Sequence, residues 1–161
     1  MMSYNIKIDL KPIGFVKTKA VGNEVRDKNL ISQVVLREEL TEALEGIQGF
    51  SHLFVIFWLH KIGATDRAKV KVHPRGRKDT PLMGVLATRT PHRPNPIGLT
   101  RVRLLGVEGN VVTVQGLDAF EGTPVLDLKP FDFWDTTEEA TVPEWWIKLE
   151  KEILEKKKEG Q

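Results

Sequence analysis

The sequence contains no cysteine, which removes disulfides, thiolate zinc sites and cysteine nucleophiles from consideration. No stretch approaches the roughly 18 apolar residues of a membrane helix, and the most apolar segment, Leu53 to Leu59, is strand-length. Met1 to Leu10 has no continuous apolar core of a secretory signal. A soluble, cytoplasmic chain that does not enter membranes is therefore expected. Neither a Gly-x-Gly-x-x-Gly fingerprint nor a P-loop occurs, so the doubly wound nucleotide fold is not indicated. A Gly-x-Ser-x-Gly elbow is missing too, which argues against a serine hydrolase. The histidines are His52, His60, His73 and His92. On a strand, His52 and His60 would stand about 25 Å apart, and no pair has ligand spacing. No metal is expected.

What is present suffices for one core: 161 residues, 40% of them apolar. The net charge of +2 hides an uneven distribution. Lys61 to Arg103 holds eleven Lys or Arg against Asp66 and Asp79, a local +9 that leaves −7 for the remainder. A basic centre in an acidic chain suits a phosphate-bearing partner. Acids folding back onto the segment would cancel it, and both outcomes stay open.

Along the chain, Lys11 to Ala20 and Ile31 to Arg37 read as strands, separated by a polar loop over Val21 to Asn29. Glu38 to Leu44 reads as a short helical stretch. Ser51 to His60 (SHLFVIFWLH) suits a strand buried on both faces. Arg67 to His73 alternates basic with apolar residues, as in a half-buried strand with a cationic outer face. Gly84 to Thr88, Leu99 to Val107, Val111 to Gln115 and Pro124 to Phe131 continue the β pattern, with a hairpin turn at Glu108-Gly109-Asn110. Thr141-Val142-Pro143-Glu144 fits a capping box opening a helix with Trp145, Trp146, Leu149 and Ile153 at helical spacing. Many short strands and few helices predict a mainly β barrel or sandwich.

The most unusual segment is Gly84 to Thr100, GVLATRTPHRPNPIGLT. Pro91, Pro94 and Pro96 fix their own backbone and push the preceding residues towards extended geometry, so no helix or central strand runs through them. Arg89, Thr90, His92, Arg93 and Asn95 are thereby held on a stiff loop at low ordering cost. A second segment, Gly116 to Pro130, places Asp118, Glu121, Asp127 and Lys129 around a glycine turn.

Three blocks, Gly46 to Lys61, Gly84 to Thr100 and Gly116 to Phe131, resemble the TsaA-like (TrmO) family of tRNA adenine N(6)-methyltransferases in order and spacing. The resemblance implies a single-sheet β-barrel without Rossmann topology, over residues 1–140. It is followed by a C-terminal helix, 141–161, packed on the barrel or on a partner subunit. It implies a homodimer that uses S-adenosyl-L-methionine to methylate the 6-amino group of threonylcarbamoyl-adenosine beside the anticodon of threonine tRNA. By position, the cofactor contacts fall on His60, Lys61, Arg89, Leu99, Ala119, Phe120, Glu121 and Gly122. Arg26, in a region reading Asn23-Glu24-Val25-Arg26-Asp27, stands where relatives carry a Pro-Arg-Gln loop. Asp118 and Asp127 are candidate proton acceptors, and each is equally suited to cap a turn. Lys69, Lys71, Arg75, Arg77, His92, Arg93 and Asn95 are expected to meet the RNA. The competing reading is a β-barrel that binds RNA or a nucleotide without turnover.

Overall fold

The computed structural model describes residues 6–159; residues 1–5 and 160–161, the ends of the two expected units, lie outside the described residues. Among the described residues, alternation of apolar and polar side chains produces eight strands: β1 (Gly14–Lys17), β2 (Ile31–Leu36), β3 (His52–Trp58), β4 (Lys71–Val72), β5 (Met83–Gly84), β6 (Ile97–Glu108), β7 (Val111–Gln115) and β8 (Pro124–Pro130). Six of them close an antiparallel barrel in the order β1-β2-β7-β6-β3-β8, while β4 and β5 form a separate two-stranded ribbon. Closure removes the exposed edges that an open sheet would leave for aggregation. Val16, Val34, Leu53, Val55, Phe57, Val102, Val112, Val114 and Val125 fill its interior. The mainly β barrel expected from the sequence is what forms.

Several local expectations change. Ser51 to His60 is not buried on both faces: in β3 Leu53, Val55 and Phe57 point inward, whereas His52, Phe54, Ile56 and Trp58 are half-exposed. A closed barrel has one interior, so an apolar outer row is covered only by its neighbours. The Arg67 to His73 strand shrinks to β4, because Ala64–Arg67 forms a helical turn, α1, and Pro74 opens a 3-10 turn directly after it. Gly84 to Thr88 likewise yields only the end of β5 and then a 3-10 turn over Val85–Ala87. The β6–β7 hairpin turns at Gly109, whose φ is +56°, and Asn110.

The C-terminal helix α2 (Glu144–Glu159) starts after Pro143, whose carbonyl accepts from Trp146 N–H at 3.0 Å. No bond from the Thr141 side chain caps it among the described residues. Its described contacts run to the excursion between β3 and β6. Arg75 pairs with Glu150, Arg77 pairs with Glu152, and Arg75 lies 5.7 Å from the Trp146 ring. Acids do fold back onto the basic segment.

Candidate active site

Strand direction explains why distant blocks meet. β3 is flanked by β6 and β8, both antiparallel to it, so its C-terminal end lies beside the N-terminal ends of both neighbours. Trp58 faces Ile97, and Phe57 faces Gly98 on one side and Val125 on the other. His60 and Lys61 leave β3 here, the proline loop enters β6 here, and the Ala119 to Gly122 turn enters β8 here. Leu59 N–H donates to Pro96 O at 2.7 Å, fastening the first to the second.

Two contacts join the expected cofactor residues. The Lys61 ammonium lies 3.9 Å from the centre of the Phe120 ring, a cation–π distance. Arg89 Nη2 donates to Leu99 O at 3.0 Å. The 119–122 turn is fixed from below: Glu121 Oε2 accepts from Thr18 N–H at 2.6 Å, and Gly122 N–H donates to Val16 O at 2.8 Å. Gly122 has φ of +72°, a conformation other residues rarely hold. Asp118 precedes the turn and accepts a bond from the hydroxyl of the buried Thr100, a residue the sequence did not single out. Asp127 sits in β8 opposite Ile56, which in turn faces Leu99, and its carboxylate is 2.9 Å from Lys129 Nζ.

The remaining candidates are dispersed. Arg26 is exposed at the end of a 3-10 turn, Gly22–Arg26, whose Val25 is buried; the loop that follows is held by Gly116 N–H donating to Leu30 O at 2.8 Å. No contact joins Arg26 to the turn at 119–122 among the described residues. Arg93 is drawn into its own loop, where Nη1 meets the carbonyls of Val85, Thr88 and Thr90 at 3.3, 2.9 and 3.2 Å. It braces the proline loop that presents Arg89. His92 Nδ1 lies 3.3 Å from Asp66 Oδ1 without hydrogen-bond alignment. Asn95 borders an apolar cleft with Trp58, Ile97, Pro124 and Leu126.

Part of the basic segment is compensated: of its eleven Lys and Arg, Lys69, Arg75 and Arg77 enter ion pairs among the described residues. Lys69 Nζ bonds Asp66 at 2.5 Å and holds that carboxyl below its ordinary range. Arg77 bonds both Asp79 and Glu152. These bonds hold the Asp79 carboxyl down to about 2 and lower that of Glu152, while Arg77 itself is raised. Lys71 stays exposed on β4. The picture of one cationic strand face gives way to pairs around the helical turn α1 and the 3-10 turn at Pro74–Gly76, with Lys71 alone on the ribbon.

Comparison with known proteins shows the lineage. The family model described as tRNA-methyltransferase O N-terminal domain matches residues 19–135. The chain belongs to this family. TrmO N-terminal relatives include a protein of Methanothermobacter thermautotrophicus described as a probable S-adenosyl-L-methionine-binding protein. It is 38% identical over 132 residues, spanning 79% of this chain and 92% of that one. The human tRNA (adenine(37)-N6)-methyltransferase is 46% identical over 89 residues, 55% of this chain but 20% of the human protein. The crystal structure of TrmO from Pseudomonas aeruginosa superimposes with a TM-score of 0.68 at 28% identity, covering 84% of this chain and 62% of that chain. The chain thus spans less than two thirds of that solved TrmO. The TrmO match also ends before α2, so the helix that engages Arg75 and Arg77 lies beyond the matched residues.

Proposed function

We propose that this protein is an S-adenosyl-L-methionine-dependent methyltransferase acting on the 6-amino group of an adenine at position 37 of tRNA. The observation that carries the reading is the meeting of Lys61 with Phe120 and of Arg89 with Leu99 at one end of β3. The donor set fits the cofactor. A zwitterionic sulfonium nucleotide needs a cation for its carboxylate, an apolar or aromatic surface for its adenine, and acceptors for its ribose. Lys61 and Arg89 supply the first, Leu99 and Phe120 the second, and Glu121 the third. His60, Ala119 and Gly122 complete the proposed cradle, and Arg26 is its more distant candidate.

When bound, the cofactor supplies an electrophilic methyl group that an incoming amine must approach in line with the departing sulfur. The adenine amine is a weak nucleophile, so alignment and exclusion of water provide most of the acceleration. Removal of its proton adds a smaller share. Asp118 is the better placed acceptor: Thr100 fixes one of its oxygens, whereas Asp127 is already paired with Lys129. The favoured finer reading is a threonylcarbamoyl-adenosine of threonine tRNA, acted on by a cytoplasmic homodimer. That reading is supported by the resemblance of the three sequence blocks. Lys71, His92 and Asn95 remain RNA-contact candidates alongside the partly compensated Lys69, Arg75, Arg77 and Arg93. Among the described residues, no helix is long and apolar enough to cross a membrane.

Incubation with methyl-labelled S-adenosyl-L-methionine and unfractionated tRNA tests the reading. Label in N6-methyladenosine supports it; cofactor and tRNA binding without transfer would leave the binding-module alternative.

A further inference from the structure

We propose that the outer face of β3, β6 and β8, running from Leu99 to Arg103, is a stacking platform for single-stranded nucleotides of the RNA. The inference rests on the methyltransferase reading and assigns its substrate a surface that the sequence did not suggest. Register builds the face. Arg101 and Lys129 flank Phe54 on its two sides, Leu99 and Asp127 flank Ile56, and Arg103 faces His52. Phe131, just past β8, joins the same surface. Its ring centre is 5.5 Å from that of Phe54 and 6.1 Å from that of His52, both edge-to-face, and Arg101 lies 5.0 Å over it.

An aromatic cluster interleaved with guanidinium groups is the chemistry that holds unpaired bases and their phosphates together. His52, Phe54 and Phe131 remain half-exposed, and Arg101 and Arg103 are exposed. Neither arginine enters an ion pair among the described residues, unlike Lys69, Arg75 and Arg77. Two uncompensated arginines at the centre of a sheet face disfavour a second copy of this chain, because interface centres are depleted in charge. A polyanion supplies the missing complement. The face also begins at Leu99, a proposed cofactor contact, and extends roughly 13 Å along β6 at about 3.3 Å per residue. A nucleotide chain lying on it is led towards the proposed methyl-transfer site.

The test is fluorescence anisotropy with a labelled anticodon stem–loop RNA, and a fully duplex RNA of equal length as control. The Arg101→Ala/Arg103→Ala variant should bind the stem–loop at least tenfold more weakly and lower the log–log salt slope by about one per arginine. Phe131→Leu, which keeps apolar packing, should weaken the stem–loop about fivefold and leave the duplex unchanged. Cofactor affinity should not move in either variant. Unchanged stem–loop affinity and slope would overturn the proposal. So would a shift of the double variant from dimer to monomer in sedimentation with RNA affinity intact, which would assign the face to a second copy. A wild-type protein that binds the stem–loop through these residues but transfers no methyl group would leave the platform standing and remove the methyltransferase reading instead.

Discussion

Lys61 places its ammonium 3.9 Å from the centre of the Phe120 ring, tying the end of β3 to the turn before β8. The two residues are 59 positions apart in sequence and adjacent only because β3 and β8 run antiparallel. If this pair faces the cofactor, Lys61→Ala should weaken S-adenosyl-L-methionine binding about 10- to 100-fold, the usual range for a lost charged contact. Lys61→Arg should recover part of the loss. Calorimetric titration reads both, and an unaltered dissociation constant in Lys61→Ala would remove the residue from the site.

Among the described residues Arg89 makes one side-chain bond to the body of the barrel, to Leu99 O, and that bond is exposed. Arg89→Ala should therefore shift the melting temperature by no more than a few degrees. Cofactor affinity should fall at least tenfold, since a guanidinium offers a carboxylate two parallel bonds. Loss of stability comparable to the loss of binding would mean that Arg89 is a brace for the proline loop.

The barrel was legible because its strands alternate. Val112 and Val114 point inward and Thr113 between them does not, and the period is visible without coordinates. The expectation failed where alternation was fortuitous. Ala68, Val70 and Val72 alternate with cations, yet Val70 is 75% exposed because the adjoining helical turn and Pro74 leave only two residues for pairing. The three motif blocks located the candidate site, but not its wiring. Thr100 reads as an ordinary strand residue until the turn at Asp118 is brought beside it. The pairing of Arg75 and Arg77 with Glu150 and Glu152 was equally hidden, since nothing local links residues 75 positions apart.

Asp118 and Asp127 make opposite predictions. Asp118→Asn retains the oxygen that accepts from Thr100, so folding should be preserved. A proton acceptor at this position predicts a fall in kcat of about 100-fold with little change in tRNA KM. Asp127→Asn should change kcat less than threefold. Steady-state kinetics with both variants separates the roles, and equal effects would assign neither as the acceptor.

Gly98 faces Phe57 across the β3–β6 ladder, and a Cβ placed on it would run into the edge of the Phe57 ring. The Phe57 ring is buried at the top of the core and has little room to retreat. Gly98→Ala should cost about 1–3 kcal/mol by overpacking, measured by urea denaturation. Adding Phe57→Leu should return part of that loss, since the two positions couple directly. A neutral Gly98→Ala would show that the strand end is looser than its register implies.

Acid should release α2 before it melts the barrel. Arg77 hydrogen-bonds Asp79 and Glu152, placing the Asp79 carboxyl at about 2 and Glu152 below its ordinary value. A carboxyl depressed in the folded state contributes fully above its unfolded pKa, about 4, and loses that contribution as pH falls through the folded value. Docking of α2 through Glu152 is therefore expected to persist at pH 5 and to weaken progressively as pH falls below about 4. Tryptophan emission from Trp145 and Trp146, in a Trp58→Phe/Trp134→Phe background, reports it, while far-ultraviolet circular dichroism follows the β-structure separately. Glu152→Gln should loosen α2 at neutral pH and flatten the acid transition, and 1 M salt should do likewise by screening exposed pairs. If emission from Trp145 and Trp146 stays constant to pH 2 and ignores the Glu152 substitution, α2 is held by apolar packing of buried Leu149 and the half-buried indoles alone, and the charge pairs are incidental.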